Sequence, residues 1–241
     1  MVGNLYQLYK NYFKPRLVPH GFLLHKKTFY RVRNDVLQTL IMRNMGQIYS
    51  IEFSITPLCI GISDLYTGCY DVSMLRKNGK GGWDSTQEPF ESIVQEMWMV
   101  VAEYVVPVFE KGVDVISADK ELLQYQIAHY APIMHKRTPI EQWALLKAKN
   151  YKRAFELLAI DLSHRISWLE KCLTTPIEDT KATAKDYEQY LAKYENELAE
   201  LRKMDYCLSV SDIVGIERII SETEAKSLEF LDTVCHQKQK P

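Results

Sequence analysis

The sequence predicts an α+β fold: an N-terminal helix, an antiparallel β-meander covered by helices, and an all-α C-terminal helical region. Three observations predict it. Apolar residues recur at helical spacing in Leu5, Leu8, Tyr9, Tyr12, Phe13 and Leu17. Ile51, Phe53 and Ile55 alternate with Glu52, Ser54 and Thr56, the two-residue period of a strand with one buried face. From Thr138 onward no stretch reads as a strand. The composition agrees, since 241 residues that are 46% hydrophobic and 25% charged can bury a core without disulfides or metals. A formal net charge of −1 excludes a chain that is basic throughout and coats nucleic acid, and it excludes an acidic solvating tail.

The elements follow in order. The first helix runs to about His20, where Gly21 supplies a stop. Thr28 to Val32 is aromatic and β-branched, Asn34-Asp35 is a turn, and Val36 to Met42 is the returning strand. The alternating strand after Asn44-Met45-Gly46 ends at Pro57, and Tyr70 to Leu75 is expected as a fourth strand, giving a meander over residues 26–76. Asp84 or Ser85 is the expected cap of a covering helix through Phe90, Ile93, Val94, Met97, Val101, Tyr104, Val105 and Val108. A short helix, about Ala118 to His129, closes this first domain, residues 1–130.

Residues 131–138 read as a linker and 139–241 as a helical domain. Thr138-Pro139-Ile140-Glu141 is a capping box with proline at the first helical position, and Thr175-Pro176-Ile177-Glu178 repeats that chemistry at a second helix start. Ala184, Tyr187, Leu191, Tyr194, Leu198 and Leu201 form a coiled-coil-like seam. Ser211 is the expected cap of a returning helix lined by Ile213, Ile216, Ile220, Leu228, Leu231 and Val234, so that the chain ends in a long helical hairpin. That seam either packs within the chain or serves as a dimer or partner surface.

A cytoplasmic location is expected. The opening residues carry no signal-peptide pattern, and the apolar stretch Met97–Phe109, interrupted by Glu103, covers about 20 Å of a roughly 30 Å hydrocarbon layer. Five cysteines without a C-x-x-C pair encode neither a disulfide framework nor a zinc site.

Charge within the near-neutral total is uneven. Through Trp83 there are 11 Lys and Arg against 4 Asp and Glu; from Asp84 to Tyr125 there are 2 against 9. Either the basic sheet and acidic helices complement each other across their packing, or Lys26, Lys27, Arg31, Arg33 and Arg43, with Tyr30 and Tyr49 interleaved, form an anion-binding surface. Lys77 and Lys80 flank a glycine-rich loop that is the second anion-binding candidate, although it lacks the phosphate-loop spacing. His129 and His135, and Asp161 with His164, are incomplete as metal sets, so no metal, cofactor or catalytic residue is assigned.

A helix ending Lys14-Pro15-Arg16-Leu17-Val18-Pro19-His20-Gly21-Phe22, then Thr28-Phe29-Tyr30-Arg31 and a third strand Tyr49-Ser50-Ile51-Glu52-Phe53-Ser54-Ile55, resembles the bacterial domain of unknown function 4304 family over about residues 5–125. The resemblance implies the helix-then-meander order and carries no activity, so no site residue transfers with it. The expected function is a non-catalytic binding or protein-interaction module, with an unidentified protein or a second copy as partner through the C-terminal helices. Two alternatives stand beside it. One is a nucleic-acid or anionic-ligand binder using the basic sheet, which no nucleic-acid motif supports. The other is an enzyme acting on a phosphorylated or carboxylated small molecule near Lys77 and Lys80. Nothing in the sequence calls for a membrane partner.

Overall fold

The computed structural model of the chain describes residues 5–65, 70–76, 81–130, 137–174 and 184–236. Helix α1, Leu5–Leu17, buries Leu5, Tyr9, Phe13 and Leu17, one residue every four, and therefore a single stripe. A 3-10 turn over Val18–His20 follows and stops at Gly21, whose φ of 84° is the left-handed conformation that glycine adopts without steric cost.

Strands β1 (Leu23–His25), β2 (Thr28–Arg33), β3 (Val36–Met45) and β4 (Ile48–Pro57) then run as an antiparallel meander. β5 (Tyr70–Asp71) and β6 (Trp83–Asp84) both pair along the outer edge of β4, at Phe53↔Tyr70 and Tyr49↔Trp83. The expected fourth strand is thus cut to two residues. Asp71 Oδ1 accepts the Ser73 N–H at 2.8 Å and Ser73 Oγ accepts the Ile51 N–H at 3.2 Å, so side chains take over the ladder and the backbone turns through Ser73–Leu75. Asp84 is likewise a strand residue whose carboxylate accepts from Thr86, rather than a helix cap.

Helix α2 starts only after Pro89 and spans Phe90–Val100. A π-turn, Val101–Val105, joins it to α3, Val106–Lys111. The cause is Pro107: it has no N–H to continue the i→i−4 ladder, and the Val106 N–H reaches back five residues to the Val101 carbonyl. Phe90–Lys111 is the only run among the described residues long and apolar enough to cross a membrane by length and composition. In this fold Ile93, Val94, Met97, Val101, Val105 and Phe109 are buried on the sheet. Helix α4, Val115–His129, begins earlier than expected because Asp114 and Ser117 form a reciprocal capping box at 2.8 and 3.1 Å.

The sheet is covered on both faces. Phe29, Val36, Leu40, Met42, Ile51, Phe53 and Ile55 point into the main core with α1, α2, α3 and α4. The residues between them in register, including Tyr30 and Leu37, form a second, smaller cluster with Leu58, Ile62, Leu65, Leu231 and Val234.

One polar group sits inside the first face. Arg31, 3% exposed and opposite Gln38 across β2 and β3, donates to Gln38 Oε1 and the His20 carbonyl, both at 2.6 Å, and to the Phe109 carbonyl at 3.1 Å. Gln38 in turn donates to the Phe109 and Gly112 carbonyls at 2.8 Å each. These acceptors end the 3-10 turn after α1 and the last turn of α3, where carbonyls have no intrahelical partner. Two facing strand residues therefore cap two helix ends.

The chain forms two compact units, one of Met1–Ala144 with Thr223–Pro241 and one of Leu145–Glu222. In the second unit, α6 (Tyr151–Thr174) packs with α7 (Ala184–Ser209). The α7 seam meets α6 through Tyr194 against Trp168, with ring centroids 5.6 Å apart, and through Arg165–Glu197 and Glu170–Arg202 ion pairs. The returning helix α8, Ile213–His236, contributes Ile216 and Ile220 as buried residues. Helix α5, Glu141–Lys147, starts in the first unit, where Thr138 Oγ1 accepts the Ile140 N–H at 3.3 Å and donates to Asp119. The second threonine-proline helix start, at 175–178, lies outside the described residues.

Truncating Gln38 to alanine leaves the Gly112 carbonyl and the Arg31 Nε–H without partners in a buried site, and the Phe109 carbonyl with Arg31 alone. Q38A is expected to lower the unfolding free energy by about 2–3 kcal/mol in urea titration, from a penalty of about 1–3 kcal/mol for each buried polar group left unpaired.

Candidate functional site

Among the described residues the basic candidates are dispersed, save Arg31 and Arg33, which share Glu110. Arg31 is enclosed, and its Nη2 also pairs with Glu110 Oε1 at 3.0 Å. Burial draws its pKa below the ordinary guanidinium range, against the pull of Glu110. Arg33 reaches the other Glu110 oxygen at 3.6 Å, and His20 lies 3.5 Å from the same carboxylate. Arg43, five positions along β3 from Gln38 and therefore on the opposite face, pairs with Glu52 at 2.6 Å. Lys26 and Lys27 are exposed in the β1–β2 turn, Lys27 Nζ lying 6.0 Å from the Tyr6 ring and the Lys26 carbonyl accepting the Tyr6 hydroxyl. Of the interleaved tyrosines, Tyr30 is buried and Tyr49 packs at the edge of the main core. Lys77 and Lys80 lie outside the described residues. The complementary reading of the charge asymmetry accounts for these contacts: Glu110 answers Arg31 and Arg33, while Glu88 and Glu96 answer Arg76.

Arg76 is a second enclosed arginine. Arg76, 4% exposed, holds Glu96 at 2.7 Å and Glu88 at 2.8 Å, donates to the Gly82 carbonyl, and lies 5.0 Å from the Trp83 ring centroid. Trp83 Nε1 donates to Glu96 at 3.0 Å. Gly82 is required beside it: φ is 87°, and a Cβ would stand 2.7 Å from Ile48 Cγ2 and 3.0 Å from the Tyr49 carbonyl oxygen. A small crevice of about 30 Å³ adjoins this cluster between Leu75, Glu96, Met99, Val100, Glu103 and Tyr104, the last two carried by the π-turn.

Behind the crevice, Tyr104 faces His129 at 5.1 Å, and His129 lies 4.8 Å from Tyr125. Tyr125 in turn meets Phe53 at 5.1 Å and Tyr70 at 5.9 Å. Burial raises the phenols of Tyr70, Tyr125 and Tyr130 and lowers the imidazole of His129, so each of these groups favours its uncharged form. They act as core rings with polar handles; Gln126 donates to the Tyr70 hydroxyl at 3.0 Å. Among the described residues no group of three His, Cys, Asp or Glu side chains stands close enough to hold a metal.

Four exposed apolar residues of the second unit stand about the α7–α8 turn, and three of them, Val214, Tyr206 and Val210, are more exposed than Ile160, Tyr190 or Trp168 elsewhere in it. Tyr206 is 67% exposed, Val210 54%, Ile213 36% and Val214 76%. The turn that presents them is tightly built. The Asp212 N–H donates to the Cys207 carbonyl at 2.8 Å, the Ser211 N–H to the Leu208 carbonyl at 3.1 Å, and Ser209 Oγ to the Tyr206 carbonyl at 2.7 Å. Ser211 takes the left-handed conformation, φ 55°, and so does not cap α8 as expected. Asp212 does, accepting the Gly215 N–H at 2.9 Å. Gly215 leaves room for that cap, since a Cβ there would fall 2.2 Å from Asp212 Oδ2 and 2.9 Å from Cys207 Sγ. The signal for this tip was present as Tyr206, Val210 and Val214, apolar residues outside the three-four spacing of either helix, and periodicity alone passes over them.

No family model matches the chain, and neither a curated protein nor a solved structure is found to be similar to it.

Two outcomes follow from these geometries. Removing the cap with Asp212→Ala is expected to cost about 1 kcal/mol in thermal unfolding. The second concerns acid. Burial by itself raises the Glu96 pKa, but the hydrogen bonds from Arg76 and Trp83 and the Arg76 charge outweigh it and hold the carboxyl below its ordinary 4.5. A depressed folded-state pKa contributes stability above the unfolded value that is lost as pH falls through the folded one. The wild-type chain should therefore lose stability more steeply below pH 4.5 than Arg76→Met does; parallel curves from chemical denaturation would remove Glu96 from the acid response.

Proposed function

We propose that the chain is a non-catalytic protein-interaction module whose contact surface includes the α7–α8 tip. The observation that carries the reading is the combination found there: a turn held by its own backbone and by Asp212, presenting Tyr206, Val210, Ile213 and Val214 to solvent. A pre-ordered apolar patch gives up little conformational entropy on binding, and an exposed tyrosine is of the residue type enriched at interface hot spots. The disposition of the basic residues supports the same reading. Arg31, Arg33 and Arg43 are engaged with Glu110 and Glu52, and those three arginines are divided between two faces of the sheet.

The test places a photo-reactive phenylalanine derivative at Val214 in the full chain and irradiates it in a lysate of the source cells. A discrete set of protein adducts is expected, reduced at least about tenfold in yield by Tyr206→Ala in the same chain, the effect of truncating one aromatic anchor. If irradiation yields no adduct above that of a probe at the exposed Arg153, the tip is not the contact surface.

A further inference from the structure

Between Leu5 and Asn34 the sequence holds no Asp or Glu, and four lysines, Lys10, Lys14, Lys26 and Lys27, fall in that stretch. The fold sets these four on one face. Tyr6, Lys10 and Lys14 follow at four-residue steps and form a single inclined row along α1, each step rising about 6 Å. The β1–β2 turn extends the row at its start: the Tyr6 hydroxyl donates to the Lys26 carbonyl, and Lys27 Nζ lies 6.0 Å from the Tyr6 ring centroid. Lys14, Lys26 and Lys27 are exposed and Lys10 is half-buried. Among the described residues none of the four has a carboxylate partner, in contrast to Arg31, Arg33 and Arg43.

The groups around the row select its occupant. The apolar stripe of α1, Leu5, Tyr9, Phe13 and Leu17, is buried in the core, so the helix has no apolar face to lay into a membrane. Arg16, the one planar donor fork on α1, donates to the Tyr12 carbonyl at 2.6 Å and sits 3.7 Å from the centroid of the Tyr12 ring. The carboxylates of an acidic peptide would therefore meet lysine point charges alone, without bidentate pairing. With Arg16 over Tyr12 and Lys27 beside Tyr6, the tyrosines of this face already hold cations and offer unstacked bases no open platform. Gln7 and Asn11, the only side-chain amides on α1, are joined to each other at 3.2 Å, which takes up the groups suited to reading base edges or a 2′-hydroxyl.

We infer that the face carrying Lys10, Lys14, Lys26 and Lys27 docks duplex DNA by its phosphates, without reading its sequence. Flexible ammonium groups with no reader beside them match a polymer whose bases are stacked inside and whose charge lies outside. This surface is separate from the α7–α8 tip, and the inference does not rest on the reading of that tip.

The test is fluorescence anisotropy of a labelled DNA duplex of about 20 base pairs, titrated with the full chain across a salt series. Four phosphate contacts at about −0.9 each give an expected slope of log K against log salt of about −3.6. Lys14→Ala should flatten that slope by about 0.9. Lys14→Glu combined with Lys26→Glu, both at exposed positions, should weaken binding at least about tenfold in low salt, equally for duplexes of different sequence. Lys152→Glu, at an exposed lysine of the second unit, should leave affinity and slope as they are in the wild-type chain. Absence of binding in low salt, an equal loss from Lys152→Glu, or a slope that the double variant leaves unchanged would each overturn the inference. So would tighter binding to a duplex RNA of the same sequence, to phosphatidylserine vesicles or to polyglutamate.

Discussion

The fold of the first unit turns on Arg31 and Gln38. Strand pairing sets them opposite one another, and the covering elements end where their donors point. A buried guanidinium is tolerable only when its donors are taken, and here an amide oxygen, two backbone carbonyls and Glu110 take them. In the same stroke, carbonyls at the ends of the 3-10 turn and of α3 receive the donors that helix geometry denies them. The register of β2 against β3, the end of the first helical segment and the end of α3 are thus one constraint. Slipping the strands by a single residue would turn both side chains to the opposite face and uncap both helices.

Around that constraint the sheet is differentiated by face. Aromatic and aliphatic residues fill the helix-covered side, where Phe13 stacks on Phe29, Phe22 tilts against Phe109 and Phe53 meets Phe109 edge-on. The reverse side mixes Tyr30 and Leu37 with serine and threonine and is covered by the end of the last helix. A dry, interlocked face has no alternative to being buried, and a hydroxylated one does.

The helical unit follows a different plan. Its α7 packs on α6, and Tyr206, Val210 and Val214 stand exposed about the α7–α8 turn, whose backbone hydrogen bonds and Asp212 cap hold it in place. Recognition surfaces at turns need this kind of support, because the side chains that face solvent receive none from a core.

By itself the sequence determined what depends on local periodicity and turn chemistry: α1, the β2–β3–β4 meander, the helical character after Thr138, and the uneven division of charge between sheet and covering helices. Each rests on spacing or composition within a few residues, which the chain states directly. What depends on distant partners was decided by tertiary structure. Arg31 reads as a surface cation beside Lys26 and Lys27 until the ends of two helical segments close over it. Asp84 and Ser211 read as caps, and the residues that follow them in space, Thr86 and Asp212, reassign them. The π-turn needed only Pro107, but the crevice it lines needed Leu75 from another element. The placement of Leu231 and Val234, legible as apolar and helical, was decided by Leu58, Ile62 and a sheet face more than 160 positions away in the chain, to which Ser227 fastens. Periodicity names the buried face of a helix, and only the assembled fold says what buries it.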